Sequence, residues 1–136
     1  MAAWVFKTEP TDFSFGDLAK KKSARWDGVR NPTALKNMRS AKVGDTVVIY
    51  HTGDEKRAVG LAQVVRAPYA DPAHDDPKLV VVDLAADSLF KEPVTLAAIR
   101  ADALLSQTGL VRIPRLSVVP LSAAQLARMR KLGGLA

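Results

Sequence analysis

The sequence predicts an α+β fold: a small mixed β-sheet curled toward a barrel, with short helices over its ends. Three observations lead there. A chain of 136 residues, 48% of them hydrophobic, has the size and composition of one domain, able to bury about two-thirds of the surface its unfolded form exposes. Apolar, β-branched runs are joined by long returns at uneven spacing, which does not suit alternating βαβ units. Helix-start signals stand between and after those runs.

Residues 3–7, AWVFK, read as a buried first strand. Glu9-Pro10 stops it, because proline lacks a backbone donor and disfavours helix at the residue before it. Ser14 and Asp17 have the S-x-x-D spacing of a helix N-terminus, in which an oxygen caps an orphan amide and an acid faces the positive end of the helix. This helix is short, ending near Lys21. Residues 26–30 form a loop, and Asn31-Pro32 is an N-cap followed by proline at the first helical position. Ala34, Leu35 and Met38 make the apolar face of that second helix. After a turn at 43–45, a strand over 46–51 pairs with 58–66 across a polar loop as a hairpin. Gly60 marks a bulge or a close backbone approach. Residues 67–77 hold three prolines with Asp71, Asp75 and Asp76 and read as loop. Leu79 to Leu84 is a strand, and Thr95 caps a helix over 96–102. A last strand spans Arg115 to Val119 and ends at Pro120. Ser122 and Gln125 form a capping box for a terminal helix to about Leu132, closed by Gly133-Gly134.

The chain has no cysteine, which excludes disulfide scaffolds, iron–sulfur clusters, thiolate zinc sites and cysteine nucleophiles. It shows neither a signal-peptide pattern nor the apolar run of a membrane span, so a soluble, cytoplasmic protein without membrane contact is expected. Its 20 basic and 14 acidic side chains give a net charge of +6. The excess is local. Lys20, Lys21, Lys22, Arg25, Arg30, Lys36, Arg39 and Lys42 stand against Asp27 alone within 19–42, around an exposed-looking Trp26. Such a run is either a solvated face or a phosphate-contacting surface; the second would weaken binding with salt by a log–log slope of about −0.7 to −0.9 per contact.

Familiar catalytic patterns are missing. There is no Walker loop or GxGxxG turn. His51 and His74 do not have zinc-hydrolase spacing, and His74-Asp75-Asp76 reads as a solvated acidic loop, so no metal or other cofactor is assigned. A serine nucleophile at Ser14 or Ser117 would need a base held beside it, which spacing alone does not place. An enzyme acting on a nucleotide, with His51 or Asp27 as acid–base group, therefore stands as an alternative, as does a small-molecule or protein-binding module.

What is left is a set of polar and aromatic residues at strand ends and loops. The runs FKTEP, S-x-x-D-L, WDGVRN, KVGD with a strand ending YHTGDE, VG-x-A-x-VV, YADP and RLSVVP follow one another from Trp4 to the last helix. In this order they resemble the EVE domain. The resemblance implies a single domain over 1–136 with a PUA-like β-barrel fold, related to the YTH readers of methylated adenosine, and a pocket for a modified base. A base taken out of its stack is held by an aromatic face and by hydrogen bonds to its edge. Trp26 is the candidate face, or else a core residue sealing the barrel end; Trp4 reads as core.

Within that implied pocket, Lys7, Thr8 and Ser14 offer donors, and Glu9 an acceptor suited to the exocyclic amine of cytosine, unless it pairs with Lys7 or Arg30. Asp27 orients Arg30 or the loop backbone, and Gly28 supplies a positive φ. Asn31 caps its helix with its oxygen and keeps its amide nitrogen free. Val29, His51, Leu116 and Ser117 complete the expected ligand set; His51 and Ser117 fall at strand ends where a barrel mouth would be, either facing a ligand or making structural hydrogen bonds. Lys20, Lys21, Lys22, Arg25, Arg39 and Arg115 are expected on the nucleic-acid backbone. The expectation is a monomeric, non-catalytic reader of DNA or RNA carrying a modified base.

Overall fold

The computed structural model describes residues 2–135. Six strands form one sheet: β1 (Ala3–Thr8), β2 (Ala24–Trp26), β3 (Thr46–His51), β4 (Arg57–Ala70), β5 (Val80–Thr95) and β6 (Val118–Leu121). Five α-helices surround it: α1 (Phe15–Ala19), α2 (Pro32–Arg39), α3 (Leu96–Ala101), α4 (Gly109–Arg112) and α5 (Ala123–Leu132). The strand order is β2-β5-β4-β3-β1-β6. β1 and β3 run parallel, and the other neighbours antiparallel.

The α+β class is as expected, but the sheet is not a closed barrel, because β2 and β6 end the order without pairing to each other. Both are too short to continue a ladder, and Pro120 of β6 has no N–H to donate, which suits an edge strand. Helix α2 packs between β6 and the start of β5 instead. Asn37 Nδ2 donates to the Val118 carbonyl of β6 at 2.8 Å, and Arg39 Nη2 donates to the Lys78 carbonyl just before β5 at 2.7 Å.

Element boundaries differ from the sequence reading where irregular strands carry proline or bulges. The acidic loop expected from residue 67 begins later, since β4 continues to Ala70; Pro68 sits inside a register shift between Arg66 and Tyr69, where no ladder donor is needed. β5 runs on far past Leu84, and Pro93 falls between the paired residues Leu89 and Val94. The last strand starts at Val118, so Arg115 to Ser117 precede it. β2 and α4 were not expected at all.

Local signals behave as their chemistry requires. Ser14 Oγ accepts from Asp17 N at 3.0 Å and Asp17 Oδ2 accepts from Ser14 N at 2.9 Å, a complete capping box. Asn31 Oδ1 accepts from Thr33 N and Ala34 N. Gly60 stands at a bulge, where a Cβ would lie 2.7 Å from the Phe15 ring and 2.8 Å from the Ser88 carbonyl. The core is continuous, with Phe6, Leu18, Met38, Ile49, Leu61, Leu84, Ile99 and Met129 fully buried. Trp4 belongs to it: its indole N–H donates to Asp45 Oδ2 at 3.0 Å. Asp45, itself buried, also accepts from the backbone amides of Ala2 and Lys42. No helix among the described residues is long and apolar enough to cross a membrane.

Candidate functional site

A cavity of about 430 Å³ opens where the end of β1, the turn at 9–13, the end of β2 and the loop after it meet. Trp26, the last residue of β2, is placed there by pairing with Val82 of β5. Its ring packs at 5.8 Å and 52° against Phe6 and at 5.9 Å and 82° against Phe13. Both phenyl rings meet it tilted or edge-on, so neither is stacked flat on the indole. Although 6% exposed, Trp26 borders empty space; the exposed ring suggested by its neighbours in sequence is instead a wall.

Apart from Phe13, Gly28 and Val29, the rest of the lining is polar and carries both signs of charge, with cations in slight excess. Lys7, Arg25 and Arg30 supply positive charge, Asp12 and Asp27 negative charge, and Thr8 and Ser117 hydroxyls. Gly28 turns the loop at φ +79° with open space around it, so backbone conformation rather than crowding requires glycine there. Lys7 Nζ donates to the Pro114 carbonyl at 2.8 Å and lies 6.0 Å from the Tyr50 ring. Burial lowers the pKa of its ammonium below the usual lysine value. Thr8 Oγ1 donates to the Phe13 carbonyl at 2.7 Å, which fixes the turn that carries Phe13.

Arg30 is held at the rim by a relay that spacing did not suggest. A guanidinium only donates, so Nη2 gives its hydrogen to His74 Nε2 at 3.2 Å, and His74 Nδ1 in turn donates to buried Asp71 at 2.9 Å. The amide of Ala73, and next His74, hold the Asp71 carboxyl below the usual carboxylate range. Arg30 is thus oriented from the acidic loop and not by Asp27, for which orienting Arg30 was one of the two expected roles.

Of the expected ligand residues, the cavity gathers Lys7, Thr8, Trp26, Asp27, Val29, Arg30 and Ser117, and it adds Arg25, which was expected on the backbone surface. Five lie elsewhere. The Glu9 carboxylate packs over Gly53 and makes no ion pair with Lys7 or Arg30 among the described residues. Ser14 and Asn31 cap their helices, and Leu116 is buried apolar packing. His51 is buried with both nitrogens engaged: Phe15 N donates to Nε2 at 3.0 Å, and Nδ1 donates to Glu55 at 3.0 Å. It borders a different, more apolar cavity beside Leu89 and Phe90, so no free imidazole faces the Trp26 cavity. The His51 hydrogen bond, ahead of Arg57, holds Glu55 below the usual glutamate value.

Asp12 and Phe13 were missed. Both sit in a turn whose amides donate to the Glu9 carbonyl at 2.9 Å, and nothing in their spacing signals that the turn folds onto β2. Lys20, Lys21, Lys22 and Arg115 are exposed and form no ion pair among the described residues. Arg39 is engaged with the Lys78 carbonyl before β5.

An open mixed sheet flanked by short helices, with an aromatic-walled hollow at one end, places the fold in the PUA-like class. The chain belongs to the EVE domain family, whose profile matches residues 2–132. It is 30% identical over 156 residues to thymocyte nuclear protein 1 of Danio rerio, covering 90% of this chain and 68% of that protein. The NMR structure of a Rhodopseudomonas palustris protein superimposes with a TM-score of 0.93 at 38% identity, covering 98% of this chain and 94% of that one. Human thymocyte nuclear protein 1 in complex with 5-methylcytosine-containing DNA superimposes with a TM-score of 0.90 at 26% identity, over 100% of this chain and 99% of that one.

Proposed function

We propose that this chain is a non-catalytic nucleic-acid-binding module that accepts one extruded modified base beside Trp26. Methylated or hydroxymethylated cytosine in DNA is the favoured guest, and a modified RNA base the other member of the class. The carrying observation is the Trp26 cavity itself, polar and cation-rimmed, with a volume of about 430 Å³, inside the range of about 300–1,000 Å³ typical of ligand sites. The 5-methylcytosine DNA bound by the structurally similar human protein supports the same guest.

The chemistry runs as follows. Extruding a base costs a few kcal/mol of stacking and pairing, and an aromatic platform returns about 1–3 kcal/mol. Asp12 and Asp27 are the acceptors suited to the exocyclic amine of cytosine, the role first expected of Glu9. Arg25 and Arg30 at the rim, with Lys20, Lys21, Lys22 and Arg115 outside it, neutralise phosphates and supply binding that ignores sequence. The module works as a monomer without a cofactor, and a cytoplasmic location is part of this reading.

The test compares oligonucleotides that differ only in one modified cytosine. Trp26→Ala lowers affinity for the modified strand by about 1–3 kcal/mol and for the plain strand by much less. Equal loss on both strands defeats the pocket, and running the same pair as DNA and RNA decides the polymer.

A further inference from the structure

A separate, smaller cavity shares Lys7 with the Trp26 cavity. Its volume is about 170 Å³, and its polar lining is Lys7, Tyr50, Thr52, Lys56 and Arg100, with Gly53 beside them and no carboxylate. That is below the range of about 300–1,000 Å³ for sites that hold drug-sized ligands, and leaves room for a small anion such as phosphate. Glu9, packed over Gly53, is the acid that approaches from outside. Lys7, Lys56 and Arg100 form no ion pair among the described residues. Lys7 Nζ gives one hydrogen to the Pro114 carbonyl and keeps two more, while Lys56 and Arg100 are exposed, so all three retain donors for an anion.

The backbone points the same way. Lys56 is the one non-glycine residue with positive φ among the described residues, at 48°. Glycine takes that conformation without strain, so the fold tolerates strain to keep a lysine side chain there. The Lys56 carbonyl accepts from Leu96 N at 2.9 Å. Leu96 opens α3, whose last turn carries Arg100, so one backbone bond sets two of the three cations relative to each other. The guanidinium fork of Arg100 matches phosphate oxygens.

We propose that this cavity is a phosphate site, in which Lys7, Lys56 and Arg100 close on the oxyanion with the Tyr50 hydroxyl as a neutral donor. The phosphate it takes is the backbone group adjoining the base held beside Trp26. The second statement rests on the proposed base-binding function; the first does not.

The experiment uses the full chain and inorganic phosphate, titrated against chloride at constant ionic strength, with the Thr52 and Gly53 amide shifts as readout. The variant combines Lys56→Gly, which relieves the backbone strain and so protects folding, with Arg100→Gln; Lys131→Gln is the charge control. Phosphate shifts both amides in the wild type and in the control, and the response is lost in the double variant. On a 5-methylcytosine oligonucleotide the double variant makes the log–log salt slope shallower by about 1, while binding of free 5-methyldeoxycytidine is unchanged. Loss of the phosphate response with an unaltered oligonucleotide slope keeps the site as one for free phosphate and overturns the backbone assignment. No phosphate response in the wild type overturns the site itself. Failure of Trp26→Ala to discriminate modified from plain strands removes the base-binding reading and leaves the phosphate result standing.

Discussion

Trp4 and Trp26 are equally buried members of one core, each 6% exposed, yet only Trp26 also walls the candidate site. The indole of Trp4 lies in the sheet interior with its N–H given to Asp45, whose carboxylate also gathers two backbone amides. Trp26 meets two phenyl rings and then a hollow lined with charge. Accessibility therefore does not separate the two roles. What separates them is the space beside each ring: the Trp4 N–H is given to a carboxylate that also holds two amides, whereas Trp26 borders a cavity of about 430 Å³.

Four substitutions break or sharpen that contrast, beginning with the largest effect. Trp4→Ala should destabilise the fold by about 3–5 kcal/mol, the usual range for a truncated core tryptophan, and leave the ratio of modified to plain oligonucleotide affinity unchanged; urea denaturation and binding titrations read the two halves. Removing its partner with Asp45→Ala orphans buried N–H donors and should cost about 1.5–3 kcal/mol in the same denaturation assay. Lys21→Ala, on the exposed basic run, should weaken all nucleic acids alike and flatten the salt slope by about 1, with no change in melting temperature.

The smallest effect concerns acid. The Ser14 amide, followed by its hydroxyl, holds the Asp17 carboxyl below the usual aspartate value. A depressed folded-state pKa gives stability that is complete above the unfolded value and is lost as pH falls through the folded one. Asp17→Asn keeps an oxygen for the capping box and removes the titration, so its stability profile should be flatter than wild type on the acid side of that window. An unchanged acid limb in thermal melts would show that another carboxylate governs it.

Features set within a few residues were legible in the sequence. Capping by Ser14, Asn31 and Ser122, the positive φ of Gly28 and the crowding at Gly60 each follow from a local rule, and each occurs. Strand extents were not, because Pro68, Pro93 and Pro120 read as terminators while bulges and an edge position accommodate them. Three-residue β2 is too short to show a period amid basic neighbours. At the site, the WDGVRN run marked Trp26 and its loop, but contact across the fold decided the remainder. It carried Glu9, His51 and Leu116 away from the hollow and brought Asp12 and Phe13 to it. The hold of His74 on Arg30 spans 44 positions, beyond the reach of any spacing rule.

Helix α2 ties the outer strand β6 to the segment that enters β5 through one amide and one guanidinium hydrogen bond. Two side chains on one helix thus fasten the side of the sheet that backbone pairing leaves open. Either side chain can be substituted with every strand register left intact, so closure on this side and strand pairing are separable.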